Sequence, residues 1–269
     1  MKLIRHVFVS DIHGDYKKLA EALAGAKFDQ NKDTLVCLGD IFDRGQQSLE
    51  VLQFLMGLPH KILVWGNHDY RLRELICGDQ ITMADYQNGV LATLHSLCPN
   101  HKTIESIDIL LRILQTDAQY ADTHRLLWKY FDTCVWAIEW DGVIATHGWL
   151  PYCGTIPARG AAKTQPVFQL LPDWRHAPRS VWYEASWAHT EACIMSGIFP
   201  DKPLIVGHWH AWRLWSKFKG IDPCYAPWET YIHFAANEPV LMCIDGCVNA
   251  EGGIVNTLVL NLEEKYQEY

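Results

Sequence analysis

The chain has no apolar run approaching the ~18 residues a membrane-spanning helix needs, no internal repeat, no low-complexity tract and no Cys-x-x-Cys pair. A spanning segment is therefore not expected, and the apolar stretch in Met1-Lys2-Leu3-Ile4-Arg5-His6 is too short for a secretory leader. Positive charge is also scarce: 23 Lys plus Arg stand against 31 Asp plus Glu, a formal charge of -8. No broad basic face advertises nucleic acid, and the densest basic cluster, Lys217-Phe218-Lys219, reads as a solvated loop. The nine cysteines are scattered and odd in number, and Cys243-x-x-x-Cys247 resembles no zinc knuckle. Reduced, mostly buried thiols in a soluble cytoplasmic protein fit that usage.

Apolar residues make up 49% of the chain, ample for a sizeable core. Three apolar runs come early: His6-Val7-Phe8-Val9, Thr34-Leu35-Val36-Cys37-Leu38 and Lys61-Ile62-Leu63-Val64-Trp65. Parallel strands buried on both faces look like this, and ligands collect beyond their carboxyl ends. Each run feeds a chemically dense segment: Ser10-Asp11-Ile12-His13-Gly14, Gly39-Asp40-Ile41-Phe42-Asp43-Arg44-Gly45 and Gly66-Asn67-His68-Asp69. Helical periodicity over 15–24, 48–56 and 69–77 completes βαβ spacing.

Between about 80 and 132 the strand pattern disappears and leucines recur at helical intervals, which predicts a helical insertion over the rim of the sheet. Strand character returns at 133–140, turns on Asp141-Gly142, a hairpin signal, and resumes at 143–146 before His147-Gly148. A Pro- and Trp-rich stretch, 149–200, reads as irregular; Leu204-Ile205-Val206 then leads into Gly207-His208-Trp209-His210, and 229–262 reads as three strands. The expected architecture is a single α/β domain over 1–269, a two-layered core with helices outside.

Asp11, His13, Asp40, Asn67, His147 and His208 all leave strand ends. Oxygen and nitrogen donors converging in this way build a site for two divalent metals. Asp40, the middle acid, is the natural bridge. Asp11, His13 and Asp40 would hold one metal, and Asp40, Asn67, His147 and His208 the other.

These motifs, in this order, resemble the calcineurin-like metallophosphoesterases, and within them the phosphoprotein phosphatase branch. The resemblance runs from residue 7 to about 260, apart from the helical insertion and 155–200. It implies a β-sandwich of mixed sheets flanked by helices and two divalent ions, with manganese first and iron, zinc or cobalt also suited. It further implies that His68 is the general acid, that Asp43 orients the His68 ring, and that Arg44 grips phosphate. The nucleophile would be a metal-bridging hydroxide.

Several positions depart from that pattern. Ser10 replaces a usual glycine, and Trp149 replaces the second glycine of His-Gly-Gly, which predicts a bulkier wall beside the second metal. Asp69 and Gly207-His208-Trp209 resemble the bacterial symmetrical diadenosine tetraphosphate hydrolases. His210 stands where the wider superfamily places a further ligand. Ser186, in the Trp182–Trp187 segment, occupies the place of a second phosphate-gripping arginine, leaving Arg175 and Arg179 as substitutes. The expected activity is phosphomonoester hydrolysis on phosphorylated protein or small-molecule substrates. The rival is hydrolysis of dinucleoside polyphosphates or cyclic nucleotides.

Overall fold

The computed structural model describes residues 3–155 and 167–269. Strands β1 (Leu3–Val9), β2 (Thr34–Cys37) and β3 (Lys61–Leu63) alternate with helices α1 (Tyr16–Gly25), α2 (Ser48–Gly57) and α3 (Asn67–Ile76). The side chain of Asp15 starts α1 by accepting a hydrogen bond from Lys18 N at 2.9 Å, which satisfies a backbone donor that the first helical turn leaves free. Four helices follow: α4 (Met83–Asn88), α5 (Val90–Leu97), α6 (Ile107–Thr116) and α7 (Ala121–Thr133). Then come β4 (Ala137–Glu139), β5 (Ile144–Thr146), β6 (Tyr152–Thr155), β7 (Val167–Leu170), α8 (Arg179–Ser186), α9 (Thr190–Ser196) and β8 (Leu204–Val206). The chain ends with α10 (Ala211–Lys219), β9 (Tyr231–Ala235), β10 (Glu238–Cys243), β11 (Leu258–Glu263) and β12 (Gln267–Glu268).

Two mixed sheets face each other. The first has the order β11-β1-β2-β3, with β1, β2 and β3 parallel and β11 antiparallel to β1. The second has the order β12-β4-β5-β8-β10-β9, with β5, β8 and β10 parallel at its centre. Register puts Phe8 beside Val36 and Val36 beside Ile62. That row packs against Ile138, Ala145 and Ile205 of the second sheet and forms the inside of the sandwich. The alternate row, Val9, Cys37 and Leu63, turns toward the helices. Both faces are buried, so the runs are continuously apolar, and each large side chain removed from water contributes roughly 1.5–3 kcal/mol.

The 80–132 region is helical, and its buried leucines, among them Leu94, Leu97, Leu110 and Leu127, join the same apolar cluster as the helix-facing side of the first sheet. It packs beside α2 and α3 and reaches the rim through Gly89, where a β-carbon would stand 2.5 Å from Arg44 N, and through Thr93.

Residues 149–200 hold more order than expected: around the undescribed 156–166 lie a two-stranded ladder, β6 with β7, and then α8 and α9. Lys217 and Lys219 occupy the last turn of α10 instead of a loop, where cations suit the helix dipole. No helix among the described residues is long and apolar enough to cross a membrane.

Candidate metal centre

The strands β1, β2, β3, β5 and β8 deliver their following loops to one edge of the sandwich. There the backbone leaves ordinary space: Asp11, His13, Asp40, Asp43, Arg44 and His208 all have φ between 45° and 70°, a conformation that costs a non-glycine residue about 1–2 kcal/mol. Two glycines let the loops touch. A β-carbon on Gly39 would stand 2.2 Å from Gly66 N, and one on Gly66 would stand 2.1 Å from Asp40 N. Asp69 fastens this contact. Its carboxylate accepts from Asp40 N (2.8 Å), Ile41 N (3.0 Å), Gly66 N (3.1 Å) and Tyr130 Oη (2.9 Å). Burial, then repulsion from Asp40, lifts its pKa to about 6.

Asp40 is the hub. Its Oδ2 lies 3.4 Å from His147 Nε2, 3.7 Å from His13 Nε2 and 3.8 Å from His68 Nε2, while its Oδ1 accepts from His68 N at 3.0 Å. Two donor groups share it: His13, Asp40 and His68, and Asp40, His147 and His208, each within 4.8 Å. Asp11 flanks the first, with Oδ1 4.0 Å from His13 Nε2 and Oδ2 accepting from Ser10 Oγ and, at 2.9 Å, from His208 N. The serine that departs from the motif thus orients an aspartate. Burial and then Asp245 push Asp11 up to about 7.

The chemistry of these donors fits divalent cations. His13 Nδ1–H donates to Phe42 O (2.8 Å) and His147 Nδ1–H to Leu38 O (2.6 Å). A carbonyl can only accept, so each ring turns its Nε2 lone pair inward. His147 Nε2 then faces Asn67 Oδ1 at 2.8 Å and Asp40 Oδ2 at 3.4 Å. Three acceptors so placed need a proton or a cation among them, and octahedral ligands at ~2.1 Å are themselves about 3 Å apart. Burial opposes charge on His147, yet Asp40 overrides it and lifts the ring to about 10. Burial and then the charge of His147 bring His208 down to about 3, so it offers a free lone pair. Asn67 Nδ2 is buried and unpartnered, a cost that ligation through Oδ1 would explain.

His68 differs from the other rings. Its Nδ1–H donates to Asp43 Oδ2 at 2.6 Å, and its Nε2 points into the site. Burial disfavours the imidazolium, but Asp40 and Asp43 together raise the pKa above its ordinary value. Asp43 is itself held from the insertion: Thr93 Oγ1 donates to its Oδ1 (3.2 Å) and accepts from its N (2.7 Å). Arg44 lies across the mouth, Nη1 2.9 Å from His13 Nε2 and Nη2 3.3 Å from His68 Nε2.

The remaining candidates divide. His210 belongs to neither donor group; its Nδ1–H donates to Asp245 Oδ2 at 2.8 Å, behind Asp11. Trp149, expected to thicken the wall beside the second metal, is wholly buried; its ring lies 6.2 Å from that of Phe199, and its N donates to Ala185 O at 3.0 Å. Ser186 turns its hydroxyl back to Tyr183 O (2.6 Å). Arg175 forks onto Glu139 with two 2.8 Å bonds, and exposed Arg179 lies near Tyr70. Neither replaces the missing arginine at the hub.

The sequence model of a family described as calcineurin-like phosphoesterase matches residues 4–212. A Coxiella burnetii protein described as a symmetrical bis(5'-nucleosyl)-tetraphosphatase is 39% identical over 98 residues, 36% of this chain and 33% of that protein. One of the same description from Methylococcus capsulatus is 44% identical over 71 residues, 26% of each. The chain thus matches about a third or less of these relatives' own length. A solved cold-active protein tyrosine phosphatase superposes with a TM-score of 0.52 at 15% identity, covering 96% of this chain and 74% of that one, a likeness of fold.

Proposed function

Because the chain belongs to the calcineurin-like phosphoesterase family, we propose that it is a dinuclear-metal-dependent phosphoric ester hydrolase acting on phosphomonoesters. The observation carrying this reading is Asp40 Oδ2 within 3.8 Å of three imidazole Nε2 atoms. Asp11, His13 and Asp40 would hold one divalent ion and Asp40, Asn67, His147 and His208 the other, manganese being the first choice. When bound, such a pair supplies charge neutralisation on the phosphoryl oxygens and acidifies water.

The chain's own groups do the rest. Arg44 presents its planar fork to phosphate oxygens at the mouth. His68 gives its Nε2 proton to the departing oxygen, while Asp43, 2.6 Å from Nδ1, fixes the tautomer and stabilises the imidazolium. Asp69 and Thr93 hold the loops that carry them.

Hydrolysis of dinucleoside polyphosphates is the second reading, favoured by the descriptions of the Coxiella and Methylococcus relatives. Against it, no second arginine joins Arg44 from the two expected positions, because Arg175 is committed to Glu139 and Arg179 is exposed near Tyr70. Manganese-loaded protein should be assayed on p-nitrophenyl phosphate, a phosphoserine peptide and diadenosine tetraphosphate. Higher kcat/KM on the monoesters is expected; ADP release as the dominant activity would select the second reading.

A further inference from the structure

Trp187 caps the C-terminus of α8, directly after Ser186, and is 38% exposed. Its ring centroid lies 5.9 Å from His68 at an interplanar angle of 38° and 6.0 Å from His208 at 82°. Tyr183 braces it edge-on at 6.2 Å, and Tyr70 in turn lies 4.7 Å from Tyr183. The indole is therefore held by an aromatic ladder on one side and open to solvent on another. Of the two imidazoles it touches, His68 is assigned to the departing oxygen and His208 to a metal. The surface beside the leaving group is consequently flat and apolar, and the neighbouring Ser186 hydroxyl offers it nothing, being turned back to Tyr183 O.

We propose that Trp187 determines specificity by stacking on a planar aromatic leaving group, so that the preferred substrates are aryl phosphomonoesters. This rests on the phosphomonoesterase reading above and names its substrate class. Aromatic pairs settle at centroid separations of about 4.5–7 Å, and His68 is itself within that range of Trp187. A ring stacked there must be bonded to the ester oxygen or nearly so. The bases of a dinucleoside tetraphosphate lie many bonds from the central phosphates and do not meet this geometry. In the reaction, water oxygen bonds to phosphorus and the bond from phosphorus to the aryl oxygen breaks. Its electron pair leaves on that oxygen, which takes the His68 Nε2 proton; the products are phosphate and a phenol.

The test compares the manganese-loaded wild-type chain with Trp187→Ala and Trp187→Phe on phenyl phosphate, phosphotyrosine, phosphoserine and glycerol 2-phosphate. Stacking on an aromatic side chain predicts that Trp187→Ala lowers kcat/KM for the two aryl esters about 5- to 100-fold, chiefly through KM, and for the alkyl esters by less than about twofold. Trp187→Phe, which keeps a ring, should retain most of the aryl preference at unchanged metal content. Equal losses on all four esters, or no loss on the aryl pair, overturns the stacking assignment while leaving the phosphatase reading intact. A wild type that turns over none of the four esters removes both.

Discussion

At His68 two carboxylates act on one ring: Asp43 binds Nδ1–H at 2.6 Å and Asp40 Oδ2 stands 3.8 Å from Nε2. The first fixes the tautomer and the second favours the proton that His68 would give away in the proposed reaction. His68→Asn should leave metal content unchanged, as measured by elemental analysis. It should lower kcat by about 10²–10⁴-fold, the usual worth of acid catalysis, with the larger loss on alkyl esters. Loss of metal in that variant would instead make His68 a ligand. The converging Asp, His and Asn residues were legible in the sequence because each follows an apolar run. Asp69 stood out there only as a motif residue; its task was not legible, since a carboxylate that ties three backbone N–H groups and Tyr130 leaves no local pattern. In the sequence Ser10 is only a replacement of a usual glycine, and its contact with Asp11 Oδ2 gives it a task.

Between elements, the insertion is tied to the centre twice, through Thr93 to Asp43 and through Tyr130 to Asp69. Helical periodicity revealed the insertion, but a hydroxyl reaching fifty residues back along the sequence has no periodicity to betray it. Thr93→Val keeps the shape and removes both hydrogen bonds to Asp43. It should lower kcat about tenfold, the value of a hydrogen bond to a charged group near 1.5 kcal/mol, with KM and metal content unchanged. A parallel fall in metal content would point to collapse of the whole loop. A second tie joins β4 to the segment before α8. Arg175, then Lys202 and Tyr269, hold the buried Glu139 carboxyl down at about 2 against the cost of burial. Its folded pKa lies below its ordinary 4.5, so its stabilisation is complete above that pH and is lost as pH falls toward 2. Glu139→Gln should accordingly show a shallower decline of the urea midpoint across that window than the wild type. Identical slopes would mean that the cluster contributes nothing.

Across the whole molecule, two sheets converge on one edge where Asp11, Asp40, Asp43 and Asp245 are all buried. Divalent ions that bind only the folded chain stabilise it by mass action, about 4 kcal/mol at a thousand times Kd. Chelation should lower Tm by several degrees and manganese should restore it, followed by calorimetry; a Tm indifferent to both would place no ion at this edge. The sandwich was legible as a class, but the order β12-β4-β5-β8-β10-β9 was not. Strand neighbours far apart in sequence are chosen by packing, and the two-residue β12 exists only because β4 pairs with it.

The left-handed turns under Asp11, His13, Asp40, Asp43, Arg44 and His208 bear on the working range of the proposed activity. Conformations of this kind persist only while their surroundings over-determine them. On warming, these corners should slacken before the sandwich opens, a local event below the global transition. Turnover at saturating manganese should then fade at a lower temperature than far-ultraviolet ellipticity, giving a thermal ceiling for catalysis beneath that for the fold.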